Sequence, residues 1–495
     1  MLRKIRIALA AVIFAGITLF LLDISGVLHL YLGWMAKIQF IPAVLALNVA
    51  VVVALVALTL LFGRVYCSVI CPLGIFQDIV SHFSSSRKGK ASRFGYKRNH
   101  RWLRISFLVF FVVLLVAGLG SIASLIAPYS AYGKIASNLF SPVYGTVNNI
   151  LAYFAQRMDS YAFYHTDVYI KSLPTFIVAV VTFVLIVILA WRGGRTWCNN
   201  VCPVGTVLGF FSRFSLFRPV INTDKCVNCG QCGKKCKASC IDTAAHSIDY
   251  SRCVVCMDCL ENCKVGAIKY SLRKKGFCKP SDNGKDENFD KSRRNTLTII
   301  GMVAGAATVD AAKMKVDGGL AEIMDKQAPV REINPTPAGS RGVKHFQSHC
   351  ISCQACVSNC PNKVLRPSTK IGNFMQPEMS YELGYCRPEC TVCSEVCPAG
   401  AIFKITPEEK SSIQIGHAVT ITQNCVVVRD GVDCGNCARH CPVGAISMVP
   451  LQEGGKLVPS VDTERCIGCG ACENLCPARP LSAIYVEGHL LHKEI

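Results

Sequence analysis

The chain has 495 residues, of which 30 are cysteine and 51% hydrophobic, and it carries a formal net charge of +21. That is too long for one ordinary core and too long for the small secreted chains that cysteine-rich disulfide scaffolds usually are. Apolar residues crowd into the first 200 positions and cysteines mostly after residue 225, so the two belong to different modules.

Residues 5–22 form the first uninterrupted apolar stretch, long enough to span a bilayer. Leu2-Arg3-Lys4 precedes it, as in a signal peptide, but no small-residue cleavage site follows cleanly and three more apolar stretches do, at about 41–62, 105–126 and 174–191. The segment 86–104 between the second and third holds eight basic residues and no acidic one. Arg3, Lys4 and Arg6 at the start, and Arg192 and Arg195 after the fourth, complete a set that the positive-inside rule places in the cytoplasm. Residues 1–220 are therefore predicted as a four-span, α-helical anchor in a bacterial inner membrane, touching lipid. The outer segment 127–173 reads as a long loop rich in aromatics (Tyr129, Tyr132, Phe154, Tyr161, Phe163, Tyr164), with Asp159, His165 and Asp167. A histidine beside carboxylates suits a proton acceptor for quinol oxidation, and an interfacial aromatic belt accounts for the same residues.

The second and fourth spans end in matching segments. One reads Gly63-Arg64-Val65-Tyr66-Cys67, with Cys71-Pro72-Leu73-Gly74 after it. The other reads Trp197-Cys198, with Cys202-Pro203-Val204-Gly205 after it. In a helix, positions i and i+4 place both sulfurs of a motif on one face. Four thiols at one depth, Cys67, Cys71, Cys198 and Cys202, suit a cluster, a redox pair or free thiols on a helix-turn, and the residues alone leave these open.

Residues 221–275 carry Cys226, Cys229, Cys232 and Cys236, then Cys253, Cys256, Cys259 and Cys263. Structural zinc takes two cysteine pairs, whereas C-x2-C-x2-C-x3-C is the run that holds a [4Fe–4S] cluster and lends its fourth thiolate to a neighbouring one. The expected ligand sets are Cys226, Cys229, Cys232 and Cys263, and Cys253, Cys256, Cys259 and Cys236. Cys240 competes with Cys236, and the proline usual after the fourth cysteine is Lys237 and Lys264 here. A linker, 276–344, follows. It contains Arg293-Arg294 and the apolar run 296–309, which read as an internal twin-arginine export signal or a fifth, short span, against a plain linker helix.

Residues 345–495 hold four more runs: Cys350, Cys353, Cys356 and Cys360; Cys386, Cys390, Cys393 and Cys397; Cys425, Cys434, Cys437 and Cys441; and Cys466, Cys469, Cys472 and Cys476. Sixteen thiols make four clusters with none over. Six clusters in all contribute about −12 in charge, which cancels much of the basic excess and argues against nucleic acid.

This last module resembles the four-cluster subunits of molybdenum reductases and the ferredoxin-type component serving periplasmic nitrate reductase. The resemblance implies α+β ferredoxin-like folding with outer runs paired together and inner runs likewise. Cys476 would then complete the first run's cluster, Cys360 the fourth's, Cys441 the second's and Cys397 the third's. The twin motifs, four spans and following ferredoxin resemble the quinol-dehydrogenase membrane component of the same reductase. The expected function is a membrane polyferredoxin relaying electrons from the quinol pool, through six [4Fe–4S] clusters and potentially a seventh, to a partner reductase or cytochrome. The alternative is a maturation factor that reduces a partner's metal centre. The cytoplasm is expected to hold residues 221–275, and the periplasm residues 345–495.

Overall fold

The computed structural model describes residues 2–23, 26–85, 94–160, 163–166, 168–273, 324–451 and 455–495. The Arg293-Arg294 segment and the apolar run behind it lie outside the described residues, as do Tyr161 and Asp167.

Two of the four expected spans form unbroken helices, α1 (Leu2–Leu22) and α10 (Leu173–Gly193), and these are the described helices long and apolar enough to cross a membrane. The short helix α2 (Leu28–Lys37) follows α1. The second expected span is interrupted: α3 (Phe40–Leu45) stops, and α4 (Val49–Phe62) starts afresh with Asn48 capping the Val51 N–H. Leu47 takes a left-handed φ of 52°, and the Asn48 N–H reaches back to the Ala43 carbonyl, closing a Schellman-type end. After α5 (Pro72–Ser85), the third expected span breaks in the same way between α6 (Arg101–Val116) and α7 (Gly120–Ile126), where Gly118 has φ 75° and Leu119 N–H bonds the Leu114 carbonyl. Apolar composition survives a glycine or a tight cap that helical geometry does not.

The expected outer loop is largely helical. It contains α8 (Pro128–Ile135), one π-helical turn and α9 (Ser141–Arg157), with proline at the start of each α-helix where its missing N–H has no cost. After α10 come α11 (Thr196–Asn200) and α12 (Pro203–Phe211).

The long segments run antiparallel between two cysteine-rich modules at opposite ends. At one end, Arg3 pairs with Asp258, the Tyr270 hydroxyl donates to the Phe62 carbonyl, Asn99 donates to Asp249, and Arg195 N–H bonds the Lys237 carbonyl. At the other, Asn359 donates to the Phe20 carbonyl, Gly400 abuts Ala46, Gly120 abuts the Cys350 carbonyl, and Lys171 donates to the Val357 carbonyl.

The first module is closed by strands Phe217–Ile221 and Ile268–Leu272, antiparallel and in register from Phe217–Leu272 to Ile221–Ile268. In the second, Ile413–Thr420 pairs with Ile484–Glu494, and two further hairpins flank that pair. Residues 324–344 pack onto this module rather than forming a free linker: Gln327 N–H bonds the Pro480 carbonyl, and Arg331 donates to the Val486 carbonyl and pairs with Glu473.

Candidate iron–sulfur sites

Local backbone shapes each thiol loop. In four runs the residues on either side of the second cysteine are left-handed: Asn228 and Gly230, Val255 and Met257, Ser352 and Gln354, Gly468 and Gly470. A left-handed φ is costly for L-residues, most of all for β-branched Val255. Such turns aim successive N–H groups inward, making a concavity suited to an anion.

The thiols ring cavities instead of closing on a point. Cys226, Cys229, Cys232 and Cys263 line one of about 440 Å³, the set expected from sequence. Cys253, Cys256 and Cys259 line another of about 400 Å³ together with both Cys236 and Cys240, whose sulfurs lie 3.5 Å apart. Among the described residues, no three His, Cys, Asp or Glu side chains converge as a single bound ion would need.

In the second module the cavities correct the outer-with-outer pairing. Cys350, Cys353 and Cys356 share a cavity of about 330 Å³ with Cys397, not Cys476. Cys386, Cys390 and Cys393 share one of about 410 Å³ with Cys360, not Cys441. Cys466, Cys469 and Cys472 share one of about 280 Å³ with Cys441, not Cys360. Cys437 has Cys434 and Cys476 as thiol neighbours, and Cys425 packs in the same apolar cluster, so Cys397 is not with this run either. The thiols are thus grouped between consecutive runs, each pair of runs folding as its own two-site unit. The two units meet where Cys386 N–H donates to the Cys469 carbonyl at 2.9 Å.

The first of these cavities faces the apolar helical segments. A Cβ on Gly133 of α8 would lie 2.2 Å from the Cys353 carbonyl, so only glycine allows this approach. Beside it Lys134 is 1% exposed, and its ammonium donates to Ser124 Oγ at 2.7 Å. A buried cation needs an anion nearby, and a site of four thiolates around an iron–sulfur core provides one.

The twin motifs come together. Cys67, Cys71, Cys198 and Cys202 are all buried, on a π-helical turn (Tyr66–Ile70), on α11 and at the starts of α5 and α12. Pro72 and Pro203 open those last two helices. Arg64 and Arg195 are fully buried between the motifs, and Arg195 pairs with Asp78, which also holds Arg6 at 2.9 Å. Burial alone would push the Asp78 carboxyl up, but Arg195, Lys237 and Arg6 hold it well below the usual carboxylate range.

His165 is exposed, its segment pinned to α9 where Asn149 accepts the Thr166 N–H at 2.8 Å. A buried histidine–carboxylate pair exists elsewhere. Asp23 Oδ2 lies 3.1 Å from His29 Nδ1, at the C-terminal end of α1. Its sequence signal, two polar residues closing an apolar span, was available.

A 4Fe-4S binding domain model matches residues 44–91 and 175–222, one C-x3-C-P motif in each, and a 4Fe-4S dicluster domain model matches 349–401 and 432–479. The methylamine utilization ferredoxin-type protein MauM of Methylobacillus flagellatus is 32% identical over 196 residues, covering 37% of this chain and 75% of that protein. The chain belongs to the ferredoxin-type proteins. Two other ferredoxin-type proteins of Escherichia coli match as well: NapF at 27% identity over 36% of this chain and all of NapF, and NapG at 26% over 33% and 77%. Each dicluster match in this ferredoxin-type chain spans two consecutive runs, as the cavities do. No solved structure matches.

Proposed function

We propose that the protein is a multi-pass membrane electron carrier that takes electrons from quinol and delivers them singly, through [4Fe–4S] clusters, to a partner reductase or cytochrome. Iron–sulfur electron transfer follows from the family; the membrane and quinol parts are the present reading. It rests above all on the docking of two cysteine modules at opposite ends of the antiparallel helices.

Four segments, two of them broken, would cross the bilayer, and their outward residues support this. Val53, Val109, Phe110, Val113, Val181 and Ile188 are exposed large apolar side chains on α4, α6 and α10, the kind of surface a lipid phase covers. Arg3, Arg6, Arg101 and Arg192 lie at the end that holds residues 221–275, favouring the cytoplasm for it and the periplasm for residues 345–495.

The clusters would be held by Cys226, Cys229, Cys232 and Cys263; by Cys253, Cys256, Cys259 and Cys236 or Cys240; and by the four sets that the second module's thiols form. A seventh would sit among Cys67, Cys71, Cys198 and Cys202. The electron acceptors at the two ends are far apart: from Arg3 to Phe20, α1 alone rises about 26 Å. Tunnelling falls exponentially with distance, so a diffusible carrier in the bilayer, the chemistry of a quinol, reaches both ends where a direct hop does not.

Reconstituting the full chain in vesicles, adding duroquinol and following the clusters by EPR tests this. Reduction of clusters in the second module is expected; clusters that dithionite reduces and duroquinol does not would sink the quinol role.

A further inference from the structure

We propose that Asp23 and His29 are the proton-accepting pair of a quinol-oxidation site on the outer face of the membrane helices. This rests on the quinol reading above and gives that site its residues.

Asp23 ends α1 with its side chain fully buried, and its carboxylate accepts the Leu28 and His29 N–H groups at 3.3 and 3.1 Å. That fixes the start of α2, where a negative side chain is favoured. The same carboxylate faces His29 Nδ1 at 3.1 Å. A carboxylate at Nδ1 holds the proton there and leaves Nε2 as the basic nitrogen. On its far side, Nε2 lies 3.7 Å from Glu395, whose side chain is 31% exposed. A chain of polar groups therefore runs from the buried end of α1 to the surface of the second module. Among the described residues, the carboxylates set against the ring are those of Asp23 and Glu395, and α3, which also packs on α2, reads Phe-Ile-Pro-Ala-Val-Leu and adds no charge.

Two further facts converge on the place. On α2, His29 is buried while Leu30, Tyr31 and Trp34 are exposed, an aromatic and apolar face of the kind that settles at a lipid interface. Glu395 sits in the helix Val392–Val396 between Cys393 and Cys397, whose thiols line two different cavities of the second module. Proton acceptor and electron acceptors thus meet at one edge.

The step balances. One quinol breaks two O–H bonds, loses two electrons and becomes quinone. The first proton goes to His29 Nε2 and the second to water at the membrane surface. The two electrons would pass singly to clusters that the Cys393 and Cys397 thiols would help to hold, which supply one-electron acceptors when bound.

The test uses the full chain in vesicles, with His29→Gln and Asp23→Asn. Asp23→Asn keeps an oxygen to cap α2 but loses the lock on the histidine proton, so it covers the case in which His29→Gln disturbs folding. Duroquinol-dependent reduction, read by EPR, is expected to slow at least 10²-fold in His29→Gln, and the rise of rate with pH expected of the parent should flatten in both variants. Dithionite should reduce the clusters equally in all three. Independently of turnover, duroquinone quenching of Trp34, read as the difference from Trp34→Phe, should depend on pH in the parent and not in His29→Gln. Unchanged rates and pH profiles in both variants overturn the pair while leaving the quinol role standing. A parent chain that duroquinol cannot reduce overturns both.

Discussion

Arg64 and Arg195 each stand three residues before the first cysteine of their own motif, and each reaches into the other motif. Arg64 Nη2 donates to the Cys198 carbonyl at 3.3 Å, while Arg195 Nη1 donates to the Cys67 carbonyl at 2.6 Å. The exchange extends to the glycines. A Cβ on Gly205 would lie 2.8 Å from Arg64 Nη2, and one on Gly74 would lie 2.6 Å from Arg195 Nη1. Two copies of R-x2-C-x3-C-P-x-G are thus one interlocked unit, with a guanidinium from each half fixing the loop of the other.

Arg64→Met removes a buried cation that also donates to Asn199 and to the Ser251 carbonyl, each at 3.0 Å. The expected loss is about 1–3 kcal/mol of stability for each buried acceptor left unsatisfied, together with one cluster's worth of iron and sulfide if the four thiols hold a seventh cluster. Arg64→Lys should not restore either, because one ammonium cannot span these separated acceptors. Thermal unfolding in detergent and iron analysis read both; full recovery with lysine would show that charge alone matters here.

Lys134→Met should lower the midpoint potential of the cluster at Cys350, Cys353, Cys356 and Cys397. A buried positive charge favours the more negative, reduced state, and its loss is expected to cost on the order of 60 mV, a tenfold change in a one-electron equilibrium. Lys134→Arg should keep most of the potential. An EPR-monitored titration that finds all potentials unmoved in Lys134→Met would place this ammonium too far from the core to matter.

The cysteine runs were legible because a thiol loop is local: in four of the six runs three sulfurs within seven residues fix one wall of a site. Their fourth partners were not, since Cys360, Cys397, Cys441 and Cys476 follow their runs at the same spacing under either exchange. Only the fold decides between them, and it brings Cys397 to the first run. The arginines of the twin motifs were visible, yet Arg195 read equally well as an orientation charge beside Arg192 until its contact with Cys67 appeared. Span interruptions at Leu47 and Gly118 escaped an apolar count, because hydropathy ignores φ. The Asp23–His29 pair joins the end of one helix to the start of the next, and no helical or strand period pairs residues six apart.

The ligand exchange has a direct check. Cys397→Ser should expose Cys350, Cys353 and Cys356 to thiol alkylation while Cys425, Cys434 and Cys437 stay protected. The outer-with-outer arrangement requires the reverse, so mass spectrometry of alkylated peptides separates the two.

Asp78 sets an acid limit. Its folded-state pKa is depressed, so the stability it contributes is fully present above the unfolded carboxylate value of about 3.9 and is lost as pH falls toward the folded value. Unfolding temperature should therefore be insensitive to this group from pH 5 to 8. Asp78→Asn, by contrast, should lower it across that whole range, because Arg195 and Arg6 are then buried without their counter-charge. A variant whose stability matches the parent at pH 7 would mean that solvent already screens the group.

The proposed sidedness can be read without cysteine chemistry. A protease site placed after Ile371, an exposed residue of the second module, should be cut in right-side-out spheroplasts and protected in inverted vesicles. A second site, placed within the basic segment 86–104, should behave oppositely. Antiparallel helices put the modules on opposite sides of any bilayer that the chain spans, so the two sites must never be cut in the same intact preparation. Joint cleavage would mean that the helices do not cross, whereas an exact reversal would keep the architecture and invert the assignment made from the basic residues.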